Sequence, residues 1–336
     1  MRRKRISASQ TKEAYFHIVS RCVMGLNLLG EEDAQKAFAD ILRRGSAFSG
    51  IDVLTYCVMP DHFHLLVRVP RPASLSKTEL LDRLEALHGP GFANETRVRW
   101  EAYSRTQHLE TLEMEKAHLA RRIGNLSFFM KALKQGVAIW YRQHHEPLQG
   151  SIWDTRFSDT LIERGTPLIA LAAYIDLNPV RARLVSDPKD FPYSGYGAAA
   201  AGDAFARKGF NLIAAAQSLP RDKAQAAYRA LLYGDDPASV THAAIKAVLE
   251  GPNVRNTITL PQLLRCRVRS FSSGFAIGSQ QFAAGAFDDH RYAFSENRKH
   301  PPAGARLCAD WHSISLFATR KLRQSAVTLS PTPRKL

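Results

Sequence analysis

The amino-acid sequence predicts an α+β fold, a ferredoxin-like antiparallel sheet with helices, followed by a mostly helical C-terminal extension. Three observations lead to this prediction. Strand-like and helix-like segments follow one another in the order β-α-β-β-α-β-α up to about residue 196, which is the order of a ferredoxin-like unit. The strand-like segments are rich in β-branched and aromatic residues, whereas the helix-like ones repeat apolar residues every three or four positions. A chain of 336 residues with 45% hydrophobic composition can also form a full core.

The first four elements lie in the N-terminal part of the chain. Residues 14–20 have strand composition, and residues 31–44 carry apolar residues at helical spacing. Residues 51–58 and 62–69 are two further strand-like runs, separated only by Met59-Pro60-Asp61. Because a short polar connection with proline is typical of a hairpin, these two strands are predicted to be adjacent.

The rest of the unit follows a charged segment. Residues 71–124 are rich in charge and weakly periodic, which predicts a helical insertion rather than a core element. Residues 126–141 have strong helical spacing, and residues 157–162 form the last predicted strand of the unit. A final helix begins near Thr166, which can cap it, and it must end before Pro179.

These elements indicate two regions. Residues 1–196 form the predicted catalytic domain, and residues 197–336 form an extension of unknown role. Within the extension, helices are predicted over residues 224–233 and 242–250. The tail from about residue 320 is basic and contains two prolines, so it is predicted to be flexible.

The charge of the chain favours a polyanionic partner. Lys and Arg number 46 against 31 Asp and Glu, which gives a formal net charge of +15. Such a charge attracts polyanions over long distances, and nucleic acid is the leading candidate among them. An anionic membrane surface is the alternative, but no run reaches the roughly 18 apolar residues of a spanning helix. The basic N-terminus is not followed by an apolar signal core, and the four cysteines contain no closely spaced ligand pair. These features predict a cytoplasmic, nucleoid-associated protein that does not bind membranes.

Two histidines on one predicted strand are the sharpest chemical signal. His62 and His64 are one residue apart, so their side chains point to the same face of the strand, while Phe63 and Leu65 point to the other. Two imidazoles so placed can share one divalent cation, and with added oxygen ligands that cation can be Mg²⁺ or Mn²⁺. Two histidines one residue apart are also typical of the polar face of an edge strand, so this pattern alone does not decide the function.

A tyrosine and an asparagine on the last predicted helix add to this signal. Tyr174 and Asn178 are four residues apart and so are predicted to lie on one helix face. The amide oxygen of Asn178 can complete a metal site begun by His62 and His64, which would bring the ion close to the tyrosine. The proline after Asn178 restricts the backbone and can distort this spacing. A buried tyrosine whose hydroxyl is hydrogen-bonded is the structural alternative.

On these residues the chain resembles the REP-associated tyrosine transposases, a branch of the HUH single-tyrosine transposases related to insertion-sequence enzymes that act on single-stranded DNA. The resemblance covers roughly residues 10–196 and depends on three motifs in order: Pro60-Asp61-His62-Phe63-His64, Trp153-Asp154-Thr155-Arg156-Phe157 and Tyr174-Ile175-Asp176-Leu177-Asn178-Pro179-Val180-Arg181. It implies metal ligation by His62, His64 and Asn178 and nucleophilic attack by Tyr174.

The function that follows is cleavage and rejoining of single-stranded DNA at hairpin-flanked sites through a 5′-phosphotyrosine intermediate. The hairpin substrate is implied by the resemblance alone. Two alternatives stay open: a catalytically silent DNA-binding protein, and a metal-dependent nuclease or replication-initiation nickase. The sequence also leaves open whether the protein is a monomer or a homodimer, in which the tyrosine helix can be exchanged between copies.

Further residues have weaker predicted roles. His17 on the first strand is predicted to orient a metal ligand. Tyr141 is the rival nucleophile, since it lies on a helix near basic residues. Trp153 can stack on an unpaired base, with a core position as the alternative. The predicted phosphate contacts are Arg2, Arg3, Lys4, Arg5, Arg156 and Arg181.

Overall fold

The structure, a computed structural model, describes part of the chain. The described residues are 13–71, 74–145, 150–216, 221–234, 264, 267–268, 271, 274–295, 299–300, 304–306, 315–318 and 327–328.

The ferredoxin-like core is present in the predicted order. Its elements are β1 (Ala14–Arg21), α1 (Glu32–Ser49), β2 (Asp52–Met59), β3 (His62–Val69), α5 (Leu126–His144), β4 (Ser158–Ile162) and α6 (Thr166–Asp176). Within the core the strand order is β2-β3-β1-β4, and all three pairings are antiparallel. The first and third strands therefore lie at the centre, as the sequence predicts, and the α+β fold class is confirmed.

The two faces of this sheet are covered by different helices. On one face, Phe16 and Leu65 belong to a hydrophobic cluster that also contains Phe38 of α1 and Leu133 of α5. On the other face, Leu66 clusters with residues of α6. Because side chains alternate along a strand, His62 and His64 lie on the same face as Leu66, which is the face that α6 covers.

The segment before α5 is helical, as predicted. It forms α2 (Lys77–His88), α3 (Pro90–Arg105) and α4 (Leu109–Ala120). These helices have small clusters of their own, and in one of them the fully buried Trp100 donates its indole N–H to Glu115 (2.8 Å). The helical character of the segment is thus confirmed, and its origin as an insertion stays a prediction.

The extension contains helices but also contributes strands to the main sheet. Its described helices are α9 (Ala204–Ala215), α10 (Arg221–Tyr233) and α11 (Gln280–Asp289), preceded by the short helices α7 (Asn178–Arg181) and α8 (Gly195–Ala200), the second of which spans the predicted boundary at residue 196. Its described strands in the main sheet are β6 (Gly274–Gly278), β7 (Gly304–Arg306) and β8 (Ser315–Ala318), while β5 (Arg267–Val268) and β9 (Val327–Thr328) form a separate two-stranded sheet. The helix predicted at 224–233 is confirmed by α10, whereas the one predicted at 242–250 lies outside the described residues. The tail predicted to be flexible also lies outside them, except for β9, which pairs with β5.

Strand β6 pairs in parallel with β4, and β8 and β7 follow, so that the full order is β2-β3-β1-β4-β6-β8-β7. Without β6, strand β4 would present an open edge of unpaired backbone groups. These strands are not predicted from the sequence, because runs such as Gly274–Gly278 are short and poor in β-branched residues. Among the described helices, none is long and apolar enough to cross a membrane.

Candidate active site

The predicted histidine pair lies at the start of β3, on the face covered by α6. The Nε2 atoms of His62 and His64 face each other at 3.1 Å. His17 on the neighbouring strand β1 lies diagonally across from His64 and is hydrogen-bonded to it, with 2.9 Å between His17 Nε2 and His64 Nδ1. His17 and His64 are almost completely buried, whereas His62 is partly exposed. The structure thus brings together two of the three predicted ligands, His62 and His64, and the residue predicted to orient one of them.

The hydrogen bonds assign the tautomer of each ring. The main-chain carbonyl of Phe271 can only accept, so the Nδ1 of His17, which lies 2.6 Å from it, donates. In a neutral His17 the Nε2 is then an acceptor, and His64 donates to it from Nδ1. Likewise the Nδ1 of His62 donates to the Asp61 carboxylate at 2.5 Å. Both His62 and His64 therefore direct an unprotonated Nε2 toward each other.

Burial supports this protonation state. Removal from water lowers the pKa of His17 to about 4, against a smaller opposing effect of its bond to Phe271. Burial, together with the neighbouring His62, also holds the pKa of His64 well below its usual range. For Asp61, burial raises the pKa, but the hydrogen bond from His62 and the nearby positive charge, which includes Arg21, outweigh it and lower the pKa. Neutral imidazoles are the form that binds metal ions.

The histidine pair fits a shared divalent cation. Two unprotonated ring nitrogens that face each other repel, and a proton or a metal ion between them removes the repulsion. Two adjacent ligands, each about 2.1 Å from one ion, are about 3 Å apart, close to the Nε2 separation of His62 and His64. Hydrogen bonds from the other ring nitrogens to Asp61 and His17 are typical of metal-binding histidines. Within the described residues, no group of three or more His, Cys, Asp or Glu side chains is placed so that it could hold a metal ion.

The predicted nucleophile is on α6, over the same face of the sheet. Tyr174 is 2% exposed, and the edge of the Phe271 ring packs against it at 4.6 Å between centroids. The carbonyl of Phe271 also binds His17, which in turn binds His64, and this pair of hydrogen-bonded histidines is called the histidine relay. One residue of the extension thus touches both the tyrosine and the histidine relay. The Arg181 guanidinium lies over the Tyr174 ring, 3.9 Å from its centroid.

Arg181 was predicted to contact DNA, but the structure engages it locally. Its Nη2 donates to the carbonyl of Tyr174 (2.7 Å), and its Nη1 donates to the carbonyl of Leu264 (2.6 Å). The guanidinium therefore stabilises the end of the tyrosine helix through these hydrogen bonds. A phosphate contact by Arg181 stays a prediction.

Tyr174 and Asn178 do not lie on one continuous helix, contrary to the prediction. Helix α6 ends at Asp176, and Asn178 begins the separate short helix α7. The reason is Pro179, which disfavours continuation of the helix. The Asn178 amide nitrogen donates to the carbonyls of Ile175 (3.0 Å) and, more weakly, Tyr174 (3.4 Å), so Asn178 stays close to the tyrosine turn. Its role as a metal ligand stays a prediction.

A buried carboxylate on the same turn was not singled out from the sequence. Asp176 is 1% exposed and accepts hydrogen bonds from the hydroxyls of Thr55 (2.8 Å) and Tyr228 and from the backbone N–H of Tyr196 (3.2 Å). Burial raises the pKa of Asp176 to about 7 in spite of these donors. The only sequence signal was its place between the two residues of the tyrosine motif.

The remaining predicted residues divide into three groups. Trp153 belongs to the core, which was the alternative to base stacking. It is 7% exposed, its indole N–H donates to the Lys134 carbonyl (2.9 Å), and its ring packs edge-on against Phe63. It is therefore not available to stack on a base. Arg156 is exposed and able to meet a phosphate. Residues 2–5 lie outside the described residues.

The rival nucleophile is separated from the histidines by the sheet. Tyr141 on α5 packs against the hydrophobic cluster on the face opposite to His64 and stacks on His145, with centroids 4.2 Å apart. Of these two tyrosines, Tyr174 is therefore the one that shares a face with the histidine pair.

Comparison with known proteins supports the resemblance found in the motifs. The model of the family described as "Transposase IS200 like" matches residues 10–79, which contain β1 to β3 and the histidine motif. A solved structure described as "Structure of the REP associates tyrosine transposase bound to a REP hairpin" is 14% identical, and the match covers 60% of this chain and 86% of that chain with a TM-score of 0.39. No curated protein matches the chain. The resemblance to IS200-like transposases is thus confirmed for the segment that carries His62 and His64.

Proposed function

We propose that this protein is a transposase-like DNA endonuclease that cleaves and rejoins single-stranded DNA, with Tyr174 as the nucleophile. One observation carries the proposal: two histidine Nε2 atoms converge at 3.1 Å on the sheet face that is covered by the tyrosine helix. The match of residues 10–79 to IS200-like transposases supports the same function. The net charge of +15 suits a nucleic-acid substrate.

His62 and His64 would hold the divalent cation, Mg²⁺ or Mn²⁺, and the amide oxygen of Asn178 is the proposed third ligand. When bound, such an ion polarises a non-bridging oxygen of the scissile phosphate. Asp61 and His17 fix the rings of the two histidines, so that each presents Nε2 toward the ion.

In the covalent step, the Tyr174 hydroxyl oxygen attacks the phosphorus and its proton is released. The bond from phosphorus to the 3′ oxygen breaks, and that oxygen takes up a proton and leaves as a 3′-hydroxyl. The downstream strand remains joined to Tyr174 as a 5′-phosphotyrosine. Because the phosphoester is conserved, a second 3′-hydroxyl can reverse the attack and join new ends without ATP.

Access to the nucleophile requires a local rearrangement. Tyr174 is almost fully buried, with its ring packed against Phe271 and Arg181, so a phosphodiester reaches the hydroxyl only after groups around the ring move. The proposed substrate is single-stranded DNA flanked by a hairpin, as the resemblance implies.

The test uses single-stranded hairpin DNA labelled at either end, incubated with the full chain and Mn²⁺ or Mg²⁺ and resolved by denaturing electrophoresis. We expect a metal-dependent protein–DNA adduct that retains the 3′ label and is lost in Tyr174→Phe. Tyr141→Phe is the matched control, because it removes a hydroxyl on the opposite face of the sheet and should leave the adduct unchanged.

Other outcomes identify the alternatives. Binding without adduct or cleavage, over several hairpins and both metals, would indicate a catalytically silent DNA-binding protein. An adduct without joined products would indicate a nickase. Cleavage that persists in Tyr174→Phe would show that water or another residue is the nucleophile.

A further inference from the structure

Asp176 connects the tyrosine helix to three other elements. It is the last residue of α6, two positions after Tyr174. Its Oδ1 accepts from Thr55 on β2 and from the Tyr196 N–H in α8, while its Oδ2 accepts from the Tyr228 hydroxyl in α10. The carboxylate therefore joins the end of α6 to the core sheet on one side and to the extension on the other.

A carboxylate at this buried position costs free energy, because the group loses its hydration. An apolar residue of similar size would avoid the loss of hydration, and a buried charged group is tolerated only when hydrogen bonds replace its water. All three donors come from outside α6, so they hold the helix end in place rather than stabilising the helix itself.

The surrounding residues are fitted to this contact. A methyl group added at Gly195 would lie 2.1 Å from the Thr55 hydroxyl oxygen, so glycine leaves the space that this hydroxyl occupies. The register of β2 shifts between Val53 and Thr55, and such bulges re-aim side chains. Tyr228 is fully buried and packs edge-on against Phe210 of α9, which fixes its ring.

We propose that Asp176 is a positioning residue that, through Thr55 and Tyr228, holds the Tyr174 turn in the orientation needed for attack on DNA. The inference rests on the proposed function, because it concerns the same tyrosine. It also gives the extension a role: α10 supplies one of the hydroxyls that position the nucleophile.

The test compares Thr55→Val, Tyr228→Phe and the double variant with the native chain, in adduct formation over a range of DNA concentrations. Tyr228→Phe removes only a hydroxyl, and Thr55→Val keeps the shape of the side chain but replaces the hydroxyl by a methyl group. We expect kcat to fall about 10- to 100-fold with little change in KM, because small displacements of a reacting group have effects of this size. Thr55→Ser, which keeps the hydroxyl, should restore most of the rate.

Tyr233→Phe is the matched control. It removes a hydroxyl from the same helix α10, where Tyr233 binds Asp187 (2.8 Å) and not Asp176, and it should leave kcat unchanged. Because both hydroxyls act on one carboxylate, the double variant should lose less than the product of the single losses. Thermal melting of each sample establishes that it is folded under the assay conditions.

The outcomes separate this inference from the proposed function. If the native chain forms the adduct and folded Thr55→Val and Tyr228→Phe match its kcat, the positioning role is wrong and the proposed function stands. The same conclusion follows if Thr55→Val and Tyr228→Phe change KM alone. It also follows if Tyr233→Phe lowers kcat as much as they do. If the native chain forms no adduct, both proposals are wrong.

Discussion

Replacement of His17 by phenylalanine tests the histidine relay directly. His17 is 1% exposed and donates to the Phe271 carbonyl while accepting from His64. The His17→Phe change preserves most of the ring volume but leaves the Nδ1–H of His64 without its acceptor, in a setting that water does not reach. His64 is then no longer held in the tautomer that presents Nε2 to the cation.

The expected effect on metal binding follows from the loss of the buried hydrogen bond that His64 donates to His17. An unsatisfied buried donor costs about 1–3 kcal/mol, and about 1.4 kcal/mol corresponds to a tenfold change in an equilibrium constant. Loss of a residue that orients a metal ligand is also known to weaken metal binding by about 10- to 100-fold. We therefore expect the Mn²⁺ concentration at half-maximal cleavage to rise by about that factor.

The assay is the rate of adduct formation over a range of Mn²⁺ concentrations. Because His17 does not touch the reacting atoms, the rate at saturating Mn²⁺ should return to within a few-fold of the native value. His118→Gln, a change at an exposed histidine of α4, is the control and should leave the midpoint unchanged. An unchanged midpoint in folded His17→Phe would refute the relay, and a rate that no metal concentration restores would show that His17 acts in the chemical step.

Three further predictions concern access, DNA binding and packing. Phe271→Ala removes the ring that packs on Tyr174 but keeps the backbone carbonyl that binds His17, so adduct formation should accelerate several-fold; an unchanged rate would mean that the ring does not limit access. Arg156→Ala should weaken binding to all single-stranded sequences alike and reduce the slope of log K against log salt by about 1, as measured by fluorescence anisotropy. Gly209→Ala places a methyl group 2.4 Å from the Leu54 carbonyl oxygen. The strain of this overpacking should lower the free energy of unfolding, measured by chemical denaturation, by about 1–3 kcal/mol. An unchanged free energy of unfolding would show that α9 can shift without cost.

The sequence by itself determined the parts of this protein that depend on local patterns. Alternation of side chains placed His62 and His64 on one face of a strand, and the order of strands and helices predicted the central position of β1 and β3. Helical spacing located α5, and Pro179 set the end of the tyrosine helix. Each of these predictions uses residues that are neighbours along the chain.

Only the tertiary structure decided which distant residues meet. The bond between His17 and Phe271 joins residues 254 positions apart, and the bond between Thr55 and Asp176 joins residues 121 positions apart. Hydrophobic periodicity reports which face of an element is buried but not which element covers it. For the same reason the sequence left Trp153 open between base stacking and the core, and burial assigned it to the core. The candidate site is thus a set of locally predictable side chains whose protonation, cover and fixed orientation come from contacts that only the folded chain forms.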